Sequence, residues 1–356
     1  MRSISAPGIA AAAVVVLATG CGSIGPKTIP HDNFNYTEAI RSSWKEQLLL
    51  NLVGLRYAEA PLFLRVTSVI NQYSIDGRVS ASTPPYEGAG PSSPPLGVSG
   101  GYADRPTITY TPMTGADFTR SVMTPLPPER IMAMIQAGWR ADLLFRLAVR
   151  SVNGVGATST LGRSGDPTSF YEMVLLMQKL QEAGGLNFRV ERREGNDAAL
   201  IVIRAPESKE AGLWRARLGE ILGLDPGRSE YRLVFGHQAA DASEIAMLTR
   251  SILEMLAELA MWIDVPPEHV ESGRTRPSIN PTPMEDLGFK PMIRVHSSAQ
   301  KPDDVFATVR YQGLWYWVDH EDFPSKRTLS LMQLMFSLAE SGKTQEAPVV
   351  TVQAGS

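Results

Sequence analysis

One cysteine in 356 residues, Cys21, removes several chemistries at once. A disulfide needs a second thiol, so in an oxidising compartment stability has to come from packing alone. A Cys-based metal site is excluded on the same ground. Histidine is scarce too: His31, His237, His269, His296 and His320 are the whole set. A zinc centre would have to draw its ligands from distant segments, so neither metal nor cofactor is expected. Basic charge is not in excess, since 34 Lys and Arg stand against 37 Asp and Glu, and nucleic acid has no electrostatic footprint to bind. The apolar run from Ile9 to Ala18 stops at Thr19 and Gly20, about half the ~20 residues that a membrane span requires. What remains is ordinary globular matter, 43% hydrophobic and 20% charged, enough for a substantial core.

Catalytic signatures are missing as well. Gly342-Lys343-Thr344 has the end of a phosphate loop, but Ser337 stands where its first glycine belongs, and the triplet follows a predicted helix instead of opening one. Ser42-Ser43-Trp44-Lys45 has the Ser-x-x-Lys spacing without Lys-Thr-Gly or Ser-Asp-Asn elsewhere. Gly154-Val155-Gly156 lacks the third glycine of a dinucleotide fingerprint, and no Gly-x-Ser-x-Gly elbow occurs. No catalytic residue is assigned.

The amino terminus carries the most specific pattern. Arg2 supplies a positive charge, the apolar run follows, and Leu17-Ala18-Thr19-Gly20-Cys21 ends it with small residues before the cysteine. This stretch resembles the lipobox of bacterial lipoproteins, with Ala18 where Leu is usual. The resemblance implies a signal peptide over 1–20, diacylglyceryl transfer to Cys21, cleavage before it, and acylation of the new amino terminus. More than one acyl chain is what stable membrane residence needs. Gly22, in place of the Asp common in inner-membrane lipoproteins, implies the outer membrane of a Gram-negative envelope, with the body facing the periplasm. Without Arg2 the chain has 33 basic and 37 acidic residues, a net charge of −4.

A tether is expected over 21–33, with Pro26 and Pro30 limiting its freedom, then a region over 34–79 holding a helix and a strand. Asn35 and Glu38 have capping-box spacing, with Phe34 on Ala39 as a staple. Ile40, Trp44, Leu48, Leu52 and Leu55 recur as one helical face, and Pro61 ends it. Five prolines, five glycines and five serines within 80–102 predict a loop or linker over 80–103. A central α+β region is expected over 104–205, with a strand at 107–111, a helix over 129–152 softened at Gly138, a loop at 154–165, a helix at 168–183, and strands at 187–193 and 198–204. For 206–283 the pattern predicts helices at 211–222 and 243–263, the latter capped by Asp241 and Glu244, with a strand at 231–236 and a long polar connection. The region 284–356 reads as a strand at 292–296, a hairpin of 305–311 and 314–320, a helix at 324–340 and a last strand at 348–353. Such an order, without repeating βαβ units, predicts an α+β fold, with several helices packed on antiparallel sheets and hairpins.

Parts of the body carry a second resemblance. Ile293-Arg294-Val295-His296-Ser297-Ser298, Tyr311-Gln312-Gly313-Leu314-Trp315-Tyr316-Trp317, Ser325-Lys326-Arg327 and Pro348-Val349-Val350-Thr351-Val352, with the segment 33–57, are similar to a group of uncharacterised proteobacterial lipoproteins. That resemblance implies an envelope address and no activity.

Two clusters are candidates for binding. Trp315 and Trp317 fall on one side of a strand and Tyr316 on the other, so the indoles make either an exposed platform for a glycan or partner, or a layer packed under the helix at 324–340. Packing under that helix, whose Leu331, Leu334, Met335 and Leu338 need a cover, is the favoured reading. Asp319-His320-Glu321-Asp322 has the groups of a divalent-metal site or a general base, as a cell-wall hydrolase using Asp319, His320 or Asp322 would need. Capping of the next helix explains the acidic residues better, because helix amides attract negative charge. His237, Asp241 and Glu244 form a weaker group. The expected function is therefore a lipid-anchored envelope protein in a structural, assembly or partner-binding role, its partners envelope proteins. A cell-wall-directed hydrolase and a glycan-binding module are the alternatives.

Overall fold

The computed structural model describes residues 25–71, 73–81, 96–104, 107–156, 166–191, 198–204, 208–278, 282–340 and 351–352. The lipobox, Cys21 and the signal segment lie outside the described residues. In chain order the main elements are α1 (Gly25–Arg56), β1 (Leu64–Asn71), β2 (Tyr73–Ala81), β3 (Leu96–Asp104), β4 (Thr107–Pro112), α2 (Pro128–Gln136), α3 (Ala141–Ala148), β5 (Val149–Val152) and β6 (Val155–Gly156). There follow α4 (Pro167–Glu182), β7 (Leu186–Glu191), β8 (Ala198–Ile203), α5 (Lys209–Leu222), β9 (Glu230–Phe235), β10 (Glu244–Thr249) and α6 (Ile252–Ala260). The last are β11 (His296–Ser298), β12 (Val305–Tyr311), β13 (Leu314–Asp319), α7 (Phe323–Glu340) and β14 (Thr351–Val352). Helices and sheets of mostly antiparallel pairing make this an α+β fold, as the element order predicts. No helix among the described residues is long and apolar enough to cross a membrane.

The chain divides into two compact units, the smaller made of 1–44, 66–110 and 347–356, the larger of 45–65 and 111–346. In the smaller unit β1 lies between β14 and β4, and β2 pairs with β3 over nine residues. The predicted linker therefore gives up 80–81 and 96–103 to strands, while 82–95 lies outside the described residues. Main-chain pairing explains the difference: Gly97, Gly100 and Gly101 stand opposite Ser80, Gly77 and Asp76, and a ladder of backbone hydrogen bonds needs no side chain to bury. The helix α1 begins at Gly25, ten residues before the expected cap, inside the predicted tether. Phe34 is accordingly 71% exposed and staples nothing.

In the larger unit six strands run β6-β5-β10-β9-β8-β7, with β9 and β10 parallel and the other pairs antiparallel. The helix α2 lies against β7, β9 and β10, and α4 packs on α3 and α5. Two predicted helices are corrected. The helix at 129–152 is broken after Gln136, where Trp139 N–H bonds to Met134 O and Gly138 N–H to Ile135 O with Gly138 at φ +98°, a Schellman closure that ends α2. The helix at 243–263 is a strand followed by a shorter helix. Its cap is Ser251 with Glu254, each side chain accepting from the other's backbone N–H. Residues Glu244 to Met247 are buried in the middle of the sheet, so pairing with β9 and β5 overrides helical periodicity.

A second sheet, β11-β13-β12, is antiparallel throughout. Its inner face holds Ala307, Tyr316 and Val318, all buried. The last turns of α1 touch it: the Lys45 ammonium is 3.3 Å from Phe306 O and 4.4 Å from the centre of that ring, and Tyr57 Oη is 2.7 Å from Tyr316 Oη.

Candidate functional site

Register decides which side chains share the outer face of the second sheet. Cross-strand partners point the same way, so Ser298, Trp315 and Arg310 form one row, and His296, Trp317 and Thr308 the next. Trp315 and Trp317 are half-buried, while Tyr316 and Val318 take the packed side. The indoles, expected to pack under the helix, are thus only half-buried, whereas Leu331, Met332, Met335 and Phe336 of α7 are buried. Cations collect beside Trp315, with Lys301 Nζ 5.4 Å and the Arg310 guanidinium 6.0 Å from the ring centre. The Trp317 ring lies 5.5 Å from that of His296, and its Nε1–H donates to Asp319 Oδ1 at 2.9 Å.

Beyond Asp319 the sheet opens into a cavity of about 740 Å³, lined by Glu285, Lys290, Arg294, His296, Asp304, Asp319, His320, Glu321 and Asp322. The chain thus brings together Asp319, His320 and Asp322 with residues from two distant segments. Five carboxylates there face the cations of Lys290 and Arg294. Each candidate acid or base already has a structural partner. Asp322 accepts from Ser325 N–H at 3.2 Å and Ser325 Oγ–H at 2.5 Å, the helix-capping role that its position before α7 predicts. The second oxygen of Asp319 is 3.2 Å from His296 Nε2, and His296 Nδ1 is 3.3 Å from Asp264. Both ring nitrogens of His296 thus face carboxylates. His320, half-exposed, has Asp304 at 3.6 Å and packs edge-on with Phe306.

The weaker group does not assemble: His237 Nδ1 is 3.3 Å from Ser151 Oγ, Asp241 accepts from Ser243, and Glu244 pairs with Arg232. Beneath the sheet, Tyr57 Oη lies within 2.8 Å of both Tyr316 Oη and His269 Nδ1. Burial, and then the bond to Tyr57, drive the Tyr316 hydroxyl far above its ordinary value; burial and Glu59 do the same to Tyr311. These phenols stay protonated and serve as hydrogen-bonding groups, not as bases. Among the described residues no group of three His, Cys, Asp or Glu side chains is placed to hold a metal. Sequence reasoning missed His296, which reaches the site only through its register with Trp317.

Comparisons with protein-family descriptions, with curated proteins and with solved structures returned no match to this chain.

Proposed function

We propose that the chain is a lipid-anchored, periplasm-facing envelope protein that binds other envelope proteins without catalysing a reaction, through the face carrying Trp315 and Trp317. The lipobox residues Leu17 to Cys21 support the anchor, and Gly22 supports the outer membrane. One observation carries the binding reading: two indoles one residue apart stand half-open on a sheet whose other side holds the buried Ala307, Tyr316 and Val318, while Asp319 accepts from an indole and Asp322 caps a helix. Aromatic side chains with nearby cations are typical of protein-recognition surfaces, where they give large contact area at low entropic cost.

The anchor is tested by Cys21→Ser. The variant is expected to fold and to move from the membrane fraction to the soluble envelope fraction; retention at the membrane contradicts the anchor. A glycan ligand is the second reading, favoured because Asp319 and His296 flank Trp317 where sugar hydroxyls would need partners. Sedimentation of the protein with purified cell-wall glycan, lost in Trp315→Ala/Trp317→Ala, supports that reading, and absence of sedimentation removes it.

A further inference from the structure

A second cleft of about 320 Å³ adjoins the first across Lys290, Pro291 and Pro324, and its charge is of the opposite sign. Four cations line it, Arg140, Arg146, Lys290 and Arg327, against a single carboxylate, Asp142. That carboxylate is already taken: Arg140 donates to it twice, Nε to Oδ1 at 2.9 Å and Nη2 to Oδ2 at 3.2 Å. Arg146 has no carboxylate in salt-bridge range among the described residues; its Nη2 donates to Lys290 O at 2.6 Å and to the Met284 sulfur at 3.1 Å, and its guanidinium lies 5.1 Å from the Phe289 ring centre. Arg327 is the second anomaly. Its Nε–H is buried and finds no acceptor among the described residues, and its guanidinium lies 5.7 Å from the centre of the Phe323 ring.

This is an unfavourable arrangement as it stands. A buried donor without a partner loses its hydration and regains nothing. Burial first, and also the charge of Arg327, lower the affinity of Arg146 for its proton, so the two guanidiniums repel across the cleft. An oxyanion would supply both missing terms, an acceptor for Arg327 Nε–H and a counter-charge for Arg146 and Arg327, neither of which has a carboxylate in salt-bridge range among the described residues. The planar fork of arginine fits two oxygens of a tetrahedral anion.

We infer that the cleft between Arg146, Lys290 and Arg327 binds a phosphoryl group. A dianion suits two unpaired guanidiniums with Lys290 beside them better than a carboxylate does, and the apolar walls, Phe289 among them, suit the carbon body of a phosphate ester. The same chemistry is offered by a soluble phosphate ester and by an anionic lipid headgroup.

Thermal unfolding of the full-length protein in detergent, in inorganic phosphate against chloride at equal ionic strength, tests the inference. Phosphate is expected to raise the midpoint by several degrees and Arg327→Gln to abolish that rise. Removing one of two repelling cations should leave the variant's midpoint in chloride no lower than that of the parent. Equal midpoints in the two salts, or an undiminished rise in both Arg327→Gln and Lys290→Gln, overturn it. Flotation with phosphatidylcholine vesicles, with and without phosphatidic acid, separates the sources in the Cys21→Ser protein: binding that needs phosphatidic acid and Arg327 assigns the headgroup, and a phosphate response without flotation assigns a soluble ester.

Discussion

Arg250 is 3% exposed, and one of its nitrogens, Nη1, donates to the carbonyl oxygens of Arg146, Leu147 and Val149 at 2.9, 3.2 and 2.8 Å. Those are the carbonyls at the end of α3 and the start of β5, which the change from helix to strand would otherwise strand without donors. Burial pushes the guanidinium's proton affinity down, with Glu258 the largest opposing influence. Arg250→Met keeps the stem and removes the donors, and is expected to cost about 3 kcal/mol in urea unfolding; a loss below about 1 kcal/mol would mean that water replaces the guanidinium. Glu244 makes a second case. Its carboxyl is held below the ordinary 4.5 first by the Ala240 N–H and then by Arg232. A depressed carboxyl stabilises the fold fully above its unfolded value and ceases to do so as pH falls through the folded one. Unfolding midpoints measured from pH 7 down should therefore fall less steeply below about pH 4.5 for Glu244→Gln than for the parent. Neither role is visible in the sequence, where Glu244 has the spacing of a helix cap. The pattern Asp241 to Glu244 and the pattern Ser251 to Glu254 are locally equivalent, and only the parallel pairing of β10 with β9 separates them.

Elements were legible where local chemistry had no competitor. Gly184 at φ +74° and Gly223 at φ +65° end α4 and α5 where glycine after an apolar run predicts an end. The hairpin of β12 and β13 turns at Gln312-Gly313 as expected, and α7 spans nearly its predicted range. Legibility failed at Gly138, because apolar spacing continues across it and a glycine within a helix differs from one that ends it only in φ. Gly138→Ala tests this reading. A Cβ there meets no atom within 4 Å, so the cost is backbone strain alone, about 1–2 kcal/mol, with no gain in helical circular dichroism. A stabilised, more helical variant would show that α2 and α3 are one helix held apart by glycine. The indoles failed for another reason. Alternation assigns Trp315 and Trp317 to one face and Tyr316 to the other, but which face meets the core depends on what packs there. Tyr57 and α1 arrive from far away in the chain to cover Tyr316.

At the scale of the whole molecule, the proposed anchor confines the body to a membrane surface, where a half-open aromatic face has a restricted set of neighbours to meet. Charge is also sorted over the larger unit, with an acidic cavity at the edge of the aromatic face and a cationic cleft beside it. The central claim is that the face of Trp315 and Trp317 is where a protein partner docks. Its most direct test is site-specific photocrosslinking in intact cells, with the probe residue placed at Thr308 on that face and, as control, at Leu213, which is 70% exposed on α5. The expected result is a discrete protein adduct of constant mass from position 308, none from 213, and its loss when Trp317→Ala is added to a variant that still folds. Adducts alike from both positions, or an adduct from 308 that survives Trp317→Ala, would contradict the account.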